Sequence, residues 1–227
     1  SSDLLHSRAD GRYNADGDSV MSRFDDLAAQ WDTNPVRAAL GSGVAEAMRA
    51  TVPFAADWRI MDFGAGTGLV TLRLLDDVAT VEAVDSSTGM LDVLDSKLAE
   101  ASIDRVTTHR IDLTAAAWDG EPLEAVVSSM TLHHIADVPA LLARLVEALR
   151  PGGWLALADL DSEDGSFHGP DVQDVHHLGF ARETMAGWLT AAGCEQVSVS
   201  DAHRVTRPDV NGIPRTYGVF LAVGRKA

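Results

Sequence analysis

A chain of 227 residues with 46 % hydrophobic content is long enough for one α/β domain with a full core, and leaves length for an extra helical segment. Its 34 acidic residues against 18 lysines and arginines give a net charge of −16. That charge repels a polyanion and argues against nucleic acid as a partner; it reads as solubility rather than as steering of a cationic substrate. A single cysteine, Cys194, excludes an internal disulfide framework, and no run reaches the length of a membrane span or of a signal-peptide core, so a soluble, cytoplasmic protein with no membrane partner is expected.

In chain order, residues 1–19 are polar, charged and aperiodic, and are expected to be a disordered tail. Residues 20–52 are expected to form a helical cap: 25–30 look helical, Trp31 follows, and Pro35 starts a second helix running to about Met48 or Ala50. From residue 58 the pattern becomes α/β alternation. Short apolar runs at 59–63, 80–84, 106–111, 125–129 and 154–158 suit strands of a parallel sheet buried on both faces. Between several of them lie helical patterns. Val138, Leu141, Leu142, Leu145, Val146 and Leu149 make one helix face, with Asp137 to cap it and Arg150-Pro151-Gly152-Gly153 to end it. Ser86 or Ser87 can cap a helix through Met90, Leu91, Leu94 and Leu98. A last helix over 182–192 stops at Gly193. Runs at 196–200 and 217–223, joined by a loop with Pro208, Asn211-Gly212 and Pro214, then read as a hairpin. The expected fold class is α/β, a doubly wound and mainly parallel seven-stranded sheet with its last strand antiparallel, occupying 53–227.

The stretch Ile60-Met61-Asp62-Phe63-Gly64-Ala65-Gly66-Thr67-Gly68-Leu69 joins the first strand to a helical pattern. A glycine-rich turn there marks a nucleotide-type cofactor site, because the backbone must approach a ligand closely. The dinucleotide fingerprint G-x-G-x-x-G has glycine at its sixth position, where this chain has Leu69. Asp62, two residues before the first glycine, would repel a pyrophosphate but can accept hydrogen bonds from an ammonium or a bound water. Asp85 ends the second run, 21 positions after Gly64, where an acid can bind both hydroxyls of a ribose. A cofactor with a ribose, an ammonium and no phosphate is S-adenosylmethionine.

At these residues the sequence resembles the class I S-adenosylmethionine-dependent methyltransferases, and most closely the small-molecule enzymes that include the ubiquinone and menaquinone C-methyltransferases. Asp62 to Gly68 resembles their first motif, and Ala83-Val84-Asp85 with Ser86-Ser87 and Met90-Leu91 their second. Ile111-Asp112-Leu113, the stretch Val126 to Ile135 and Leu149-Arg150-Pro151-Gly152-Gly153 resemble the next three, in order, over about 55–160. The resemblance implies a Rossmann-like methyltransferase fold and the following cofactor contacts. Asp62 would hold the amino group; Gly64, Ala65 and Gly66 would pass under the methionine part and ribose; Asp85 would bind the ribose hydroxyls. Ser86 and Met90 would flank the adenine, although a Met on an apolar helix face is as readily core. Asp112 would accept from the adenine N6 with Leu113 against the ring, and Ser129 would lie beside the methionine end. Two other readings stand beside it. A NAD(P)-dependent oxidoreductase needs a glycine at 69 and leaves Asp112 and the fourth-strand motif unexplained. A non-catalytic S-adenosylmethionine-binding module would keep the site without turnover.

Methyl transfer is an in-line displacement on an already activated sulfonium, with S-adenosylhomocysteine as product, so it needs alignment and a dry site, and a base only where the acceptor must lose a proton. The candidate catalytic residues are His133 and His134, after the fourth strand, and His168. His133 and His134 can equally shape the site. The segment at about 160–181 leaves the carboxyl edge of the sheet and is expected to be an acceptor-side lid, with Phe167, His168, His176, His177 and Phe180 in the wall of the substrate pocket. Its histidines and carboxylates permit a divalent metal, but their spacing fits no compact metal motif, and a metal is not expected. Trp31 in the cap would close over cofactor and small-molecule acceptor, or anchor the cap by its hydrophobic face.

Overall fold

A computed structural model describes residues 23–168, 174–209 and 212–227. The tail expected over 1–19 lies outside the described residues. Five apolar runs form parallel strands: β1 (Arg59–Phe63), β2 (Thr80–Asp85), β3 (Val106–Arg110), β4 (Leu123–Ser129) and β5 (Leu149–Leu160). Two long strands, β6 (Cys194–Pro208) and β7 (Pro214–Lys226), complete a seven-stranded sheet in the order β3-β2-β1-β4-β5-β7-β6. Only β7 runs against its neighbours, pairing antiparallel with both β5 and β6. The chain reverses its direction of travel across the sheet between β1 and β4, and the carboxyl ends of strands at such a switch point form a crevice.

The helices are α1 (Arg23–Leu27), α2 (Pro35–Thr51), α3 (Thr71–Leu74), α4 (Thr88–Glu100), α5 (Val138–Ala148) and α6 (Arg182–Ala191). A 3-10 segment, Ala28–Thr33, links α1 to α2 and carries Trp31. Asn34 caps α2, Ser87 caps α4 and Asp137 caps α5, each accepting a backbone N–H of the first turn. Successive strand residues enter opposite cores, which is why the strands read as continuous apolar runs. Ile60, Ala125 and Val127 pack with Val44, Met48 and Leu94 on one face; Met61, Phe63 and Val126 pack with Leu142, Leu145 and Met185 on the other. Leu142 is fully buried at the centre of α5. Leu142→Ala is expected to lower the unfolding free energy by about 2–5 kcal/mol, measured by urea denaturation.

Three expectations of the sequence need correction. Leu149, the last residue of the apolar periodicity, opens β5 opposite Leu123 instead of ending α5, and Gly152 turns the chain at φ +74° inside that strand. The helix after the glycine loop is one turn, α3, followed by a 3-10 turn, Leu75–Asp77. The terminal hairpin is far longer than its apolar runs. Pro208 and Pro214 pair with each other at its tip, so the connection is only residues 209–213. β6 is an edge strand whose ends tolerate proline and whose outward positions are polar, so apolar runs could not show its length.

Candidate active site

A cavity of about 1060 Å³ opens above the carboxyl ends of β1, β2 and β4 and is covered by the segment that carries Phe24 and Trp31. Its floor is the loop after β1. Gly64, Gly66 and Gly68 all sit in the left-handed region, at φ +70°, +54° and +83°. The protein itself crowds two of them. A Cβ on Gly64 would lie 2.2 Å from Thr131 Oγ1, and one on Gly68 2.5 Å from Leu94 Cδ1 of α4. Only Gly66 is open: the nearest atom to its Cβ position is Met90 Sδ, at 3.9 Å. Leu69 packs against Gly41 of α2, so the side chain at that position serves the contact with the cap helix.

Asp62 is 2 % exposed and lines the cavity. Its Oδ2 accepts from Thr71 Oγ1 at 2.6 Å, and it has no ion pair with any described residue. Burial, opposed by the Thr71 bond and reinforced by the nearby Asp85, pushes its pKa up to about 7. At the end of β2, Asp85 accepts from Gly66 N at 2.8 Å and from Ser87 N at 2.9 Å. Its pKa is also raised by burial, against the pull of those N–H groups. Asp85 thus holds the glycine loop to the start of α4 and still presents lone pairs to the cavity. Asp112 follows β3 and accepts from Thr114 N and Thr114 Oγ1. Ala65, Ser86, Met90, Asp112 and Ser129 all line the same cavity, as do Gly64 and Gly66. Leu113 does not. It points into the core, 1 % exposed, and Ile111 and Thr114 line the cavity with Asp112, because the chain turns at 113–114 after leaving β3.

Two aspartates pin the cap. Asp25 Oδ1 accepts from Ser87 Oγ at 2.6 Å and from Gly89 N at 2.7 Å, and α1 lies so close to α4 that a Cβ on Gly89 would sit 2.9 Å from Asp25 Cα. Asp32 accepts from Thr67 Oγ1 at 2.6 Å and pairs with Lys97 of α4. Trp31 faces the cavity between the edge of Phe24 and the Arg37 guanidinium, which lies 3.7 Å from its ring centre. Removing the Asp25 carboxylate by Asp25→Ala is expected to loosen the cap by about 1–3 kcal/mol. Hydrogen exchange over residues 23–33 should rise in that variant, with backbone protection in the sheet unchanged.

The histidines divide. His133 is 2 % exposed and lies behind the cavity wall, its Nδ1 2.7 Å from Asp159 Oδ1, and both residues are buried. His134 lines the cavity and donates its Nδ1–H to Asp174 O. Burial and the neighbouring His133 push its pKa down to about 4, so its ring is neutral near pH 7 with a lone pair at Nε2. His168 stands 5.0 Å from His133, ring centre to ring centre, and is likewise lowered to about 4, chiefly by burial. Of the expected wall, His176 reaches the cavity. Phe180 instead packs on Trp188 and Phe220 in the core, and Phe167 is buried against Tyr217. His177 Nε2 donates to Ile135 O and tacks the segment to the loop after β4. These large apolar rings were assigned to a pocket because the segment leaves the cofactor edge, but its two ends fold back on the sheet: Ser162 N bonds Phe180 O, and Arg182 forks onto Asp161. Residues 169–173 of the expected lid lie outside the described residues.

Sequence reasoning missed Thr71, Thr131, Phe24 and the role of Asp25. Each meets the site across many intervening residues or through a backbone contact, so no local pattern marks it.

Residues 60–153 match the family model described as a methyltransferase domain. An uncharacterised methyltransferase of Schizosaccharomyces pombe is 31 % identical over 62 % of this chain and 54 % of its own length. A demethylmenaquinone methyltransferase of Clavibacter sepedonicus is 30 % identical over 63 % of this chain and 58 % of its own. The chain therefore spans little more than half the length of these curated relatives. Among solved structures, the complex of DhpI with SAH superposes with a TM-score of 0.70 at 21 % identity, covering 91 % of this chain and 95 % of that one. YcgJ of Bacillus subtilis gives 0.65 at 16 %, covering 81 % and 97 %. At such identities these two show the fold, which is that of the Rossmann-like methyltransferases. With the sheet order, the motifs in sequence and a methyltransferase domain matched over residues 60–153, the chain is similar to the class I methyltransferases.

Proposed function

We propose that this protein transfers a methyl group from S-adenosylmethionine to a small-molecule acceptor by in-line displacement. The acceptor atom's lone pair forms the new bond to the methyl carbon as the carbon–sulfur bond breaks, leaving S-adenosylhomocysteine, and any proton on the acceptor is lost to a base or to water. The observation that carries this reading is Asp62, a buried cavity-lining acid with no cationic partner among the described residues and a pKa raised to about 7. An ammonium supplies what this group lacks, whereas a pyrophosphate would be repelled.

The remaining contacts follow from position. Gly66, the one loop glycine open to the cavity, lets the methionine chain and ribose pass close to the backbone. Asp85 offers its remaining lone pairs to the ribose hydroxyls, Asp112 accepts from the adenine amino group, and Met90, Ser86 and Ile111 flank the ring. Ser129 lies at the methionine end. The acceptor would sit under Phe24 and Trp31 against His134 and His176, in a site closed by the cap over residues 23–52. His134 lines the acceptor side of the cavity, whereas His133 lies behind it, held by Asp159. No described helix is long and apolar enough to cross a membrane, and the net charge of −16 favours a small acceptor over nucleic acid. The names of the relatives, a demethylmenaquinone methyltransferase among them, and structural neighbours described as complexes with SAH or SAM support the same reading.

Calorimetric titration with S-adenosylhomocysteine should give a Kd at or below the order of 10 μM, near −7 kcal/mol. No heat and no thermal shift at ten times that concentration would overturn the proposal. Mass-spectrometric detection of methylated products from a metabolite panel separates an enzyme from a binding module.

A further inference from the structure

We propose that His133, His134 and His168 together hold one divalent first-row transition metal, zinc or a close equivalent, at the acceptor end of the cavity. One ring nitrogen from each of the three lies within 4.8 Å of the other two. The hydrogen bonds fix what those rings present to one another. His133 gives its Nδ1 to a carboxylate and His134 gives its Nδ1 to a backbone carbonyl. Both partners are acceptors, so Nδ1 is engaged in each ring and Nε2 is the atom left to bind a metal ion, which displaces any proton it carries. His168 Nδ1 is buried and has no hydrogen-bond partner among the described residues. Three imidazoles thus bring metal-ligating nitrogens together, one of them buried and without a hydrogen-bond partner among the described residues.

The surroundings are those of a ligand set rather than of a packing accident. Asp159, 0 % exposed, also accepts from Leu160 N, so it is rigid and sets the ring angle of His133 as an outer carboxylate does for a metal-bound histidine. Phe24 stands edge-on to His134 and Phe167 to His168, which limits water around the cluster. Three imidazoles select zinc, cobalt, nickel or copper over magnesium or calcium, which need oxygen ligands. Tetrahedral zinc with nitrogens at about 2.05 Å places them about 3.4 Å apart, so loading requires the rings to close by about 1.5 Å at most, a side-chain rotation. Of the three, His134 lines the cavity, so a metal on its Nε2 would lie at the edge of that space. The cluster is separate from the Asp62, Asp85 and Asp112 contacts, so the inference does not depend on the methyl donor.

The test uses the full chain, stripped with chelator, incubated with zinc chloride and dialysed. Elemental analysis should find one zinc per chain beyond the amount retained by His168→Ala and by His134→Ala. Cobalt(II) in place of zinc should give the intense visible bands of tetrahedral coordination in the wild type and lose them in both variants. In chelator, His168→Ala should melt within a degree or two of wild type, since its Nδ1 has no partner to lose, which separates loss of the site from loss of the fold. S-adenosylhomocysteine affinity should be unchanged by chelator. Wild type that takes up no more zinc than His168→Ala, or cobalt bands that persist in that variant, would overturn the proposal.

Discussion

Asp62→Asn is expected to make the free protein more stable at pH 8 while costing it most of its affinity for the cofactor. Asp62 has a folded pKa of about 7 against 3.8 for the unbonded side chain. Between those values the folded chain holds a proton that the unfolded chain has released, so stability falls as pH rises, and the loss is complete above about pH 7. At about 1.4 kcal/mol per unit the cost of ionising this buried group is on the order of 4 kcal/mol. Asparagine keeps the shape and can still accept from Thr71 Oγ1, but it never ionises. Its unfolding free energy should therefore exceed that of wild type at pH 8 and lack the decline between pH 4 and 7 that Asp62 contributes. The same charge is what an ammonium binds. A charge-assisted hydrogen bond of about 1.5–3 kcal/mol is lost in the variant, a weakening of roughly 10- to 150-fold for S-adenosylhomocysteine. In wild type, binding below pH 7 must expel the Asp62 proton, so affinity should rise by up to tenfold per pH unit towards pH 7 and then level off. An asparagine variant less stable than wild type at pH 8 would mean that the carboxylate is not penalised by burial, and would remove the main support for the ammonium contact.

What could be read from the sequence was whatever is encoded locally. The strand runs, two helix caps and the order of the motifs depend on neighbours within a few positions, and β1 falls on its expected bounds. Asp62, Asp85 and Asp112 line one cavity because each lies at or within two residues of the carboxyl end of a strand, and a parallel sheet brings all such ends to one edge. The misplacements share a cause. Leu113, Phe167 and Phe180 were assigned to the pocket by their place in the chain, but which side a residue faces depends on backbone direction after the strand ends, and a large apolar ring gains more from the core than from an open wall. His133 next to His134 shows the limit most clearly. The two residues are adjacent, yet one is locked behind the wall by a carboxylate 26 residues away and the other faces the cavity.

The glycine loop makes the last distinction testable, because its three glycines have different reasons to lack a side chain. Gly64→Ala should destabilise the fold. A left-handed alanine costs about 1–2 kcal/mol, and its Cβ would sit 2.2 Å from Thr131 Oγ1 and 2.8 Å from Thr131 Cβ, a clash that no rotation of the threonine relieves. A total loss of about 2–5 kcal/mol is expected, and Thr131→Gly in the same chain should recover the overlap part of it while leaving the backbone part. Gly66→Ala meets nothing nearer than 3.9 Å, so its stability loss should be only the backbone term, about 1–2 kcal/mol. Its methyl group instead enters the space where the cofactor would run beside Asp85. S-adenosylhomocysteine binding should fall by an order of magnitude or more, a loss that Thr131→Gly cannot restore. If Gly66→Ala bound as wild type does, the open glycine would not be where the ligand passes, and the loop would be shaped only for its contacts with Thr131 and Leu94. The pair of variants thus separates glycine required by the protein's own packing from glycine required by what it binds.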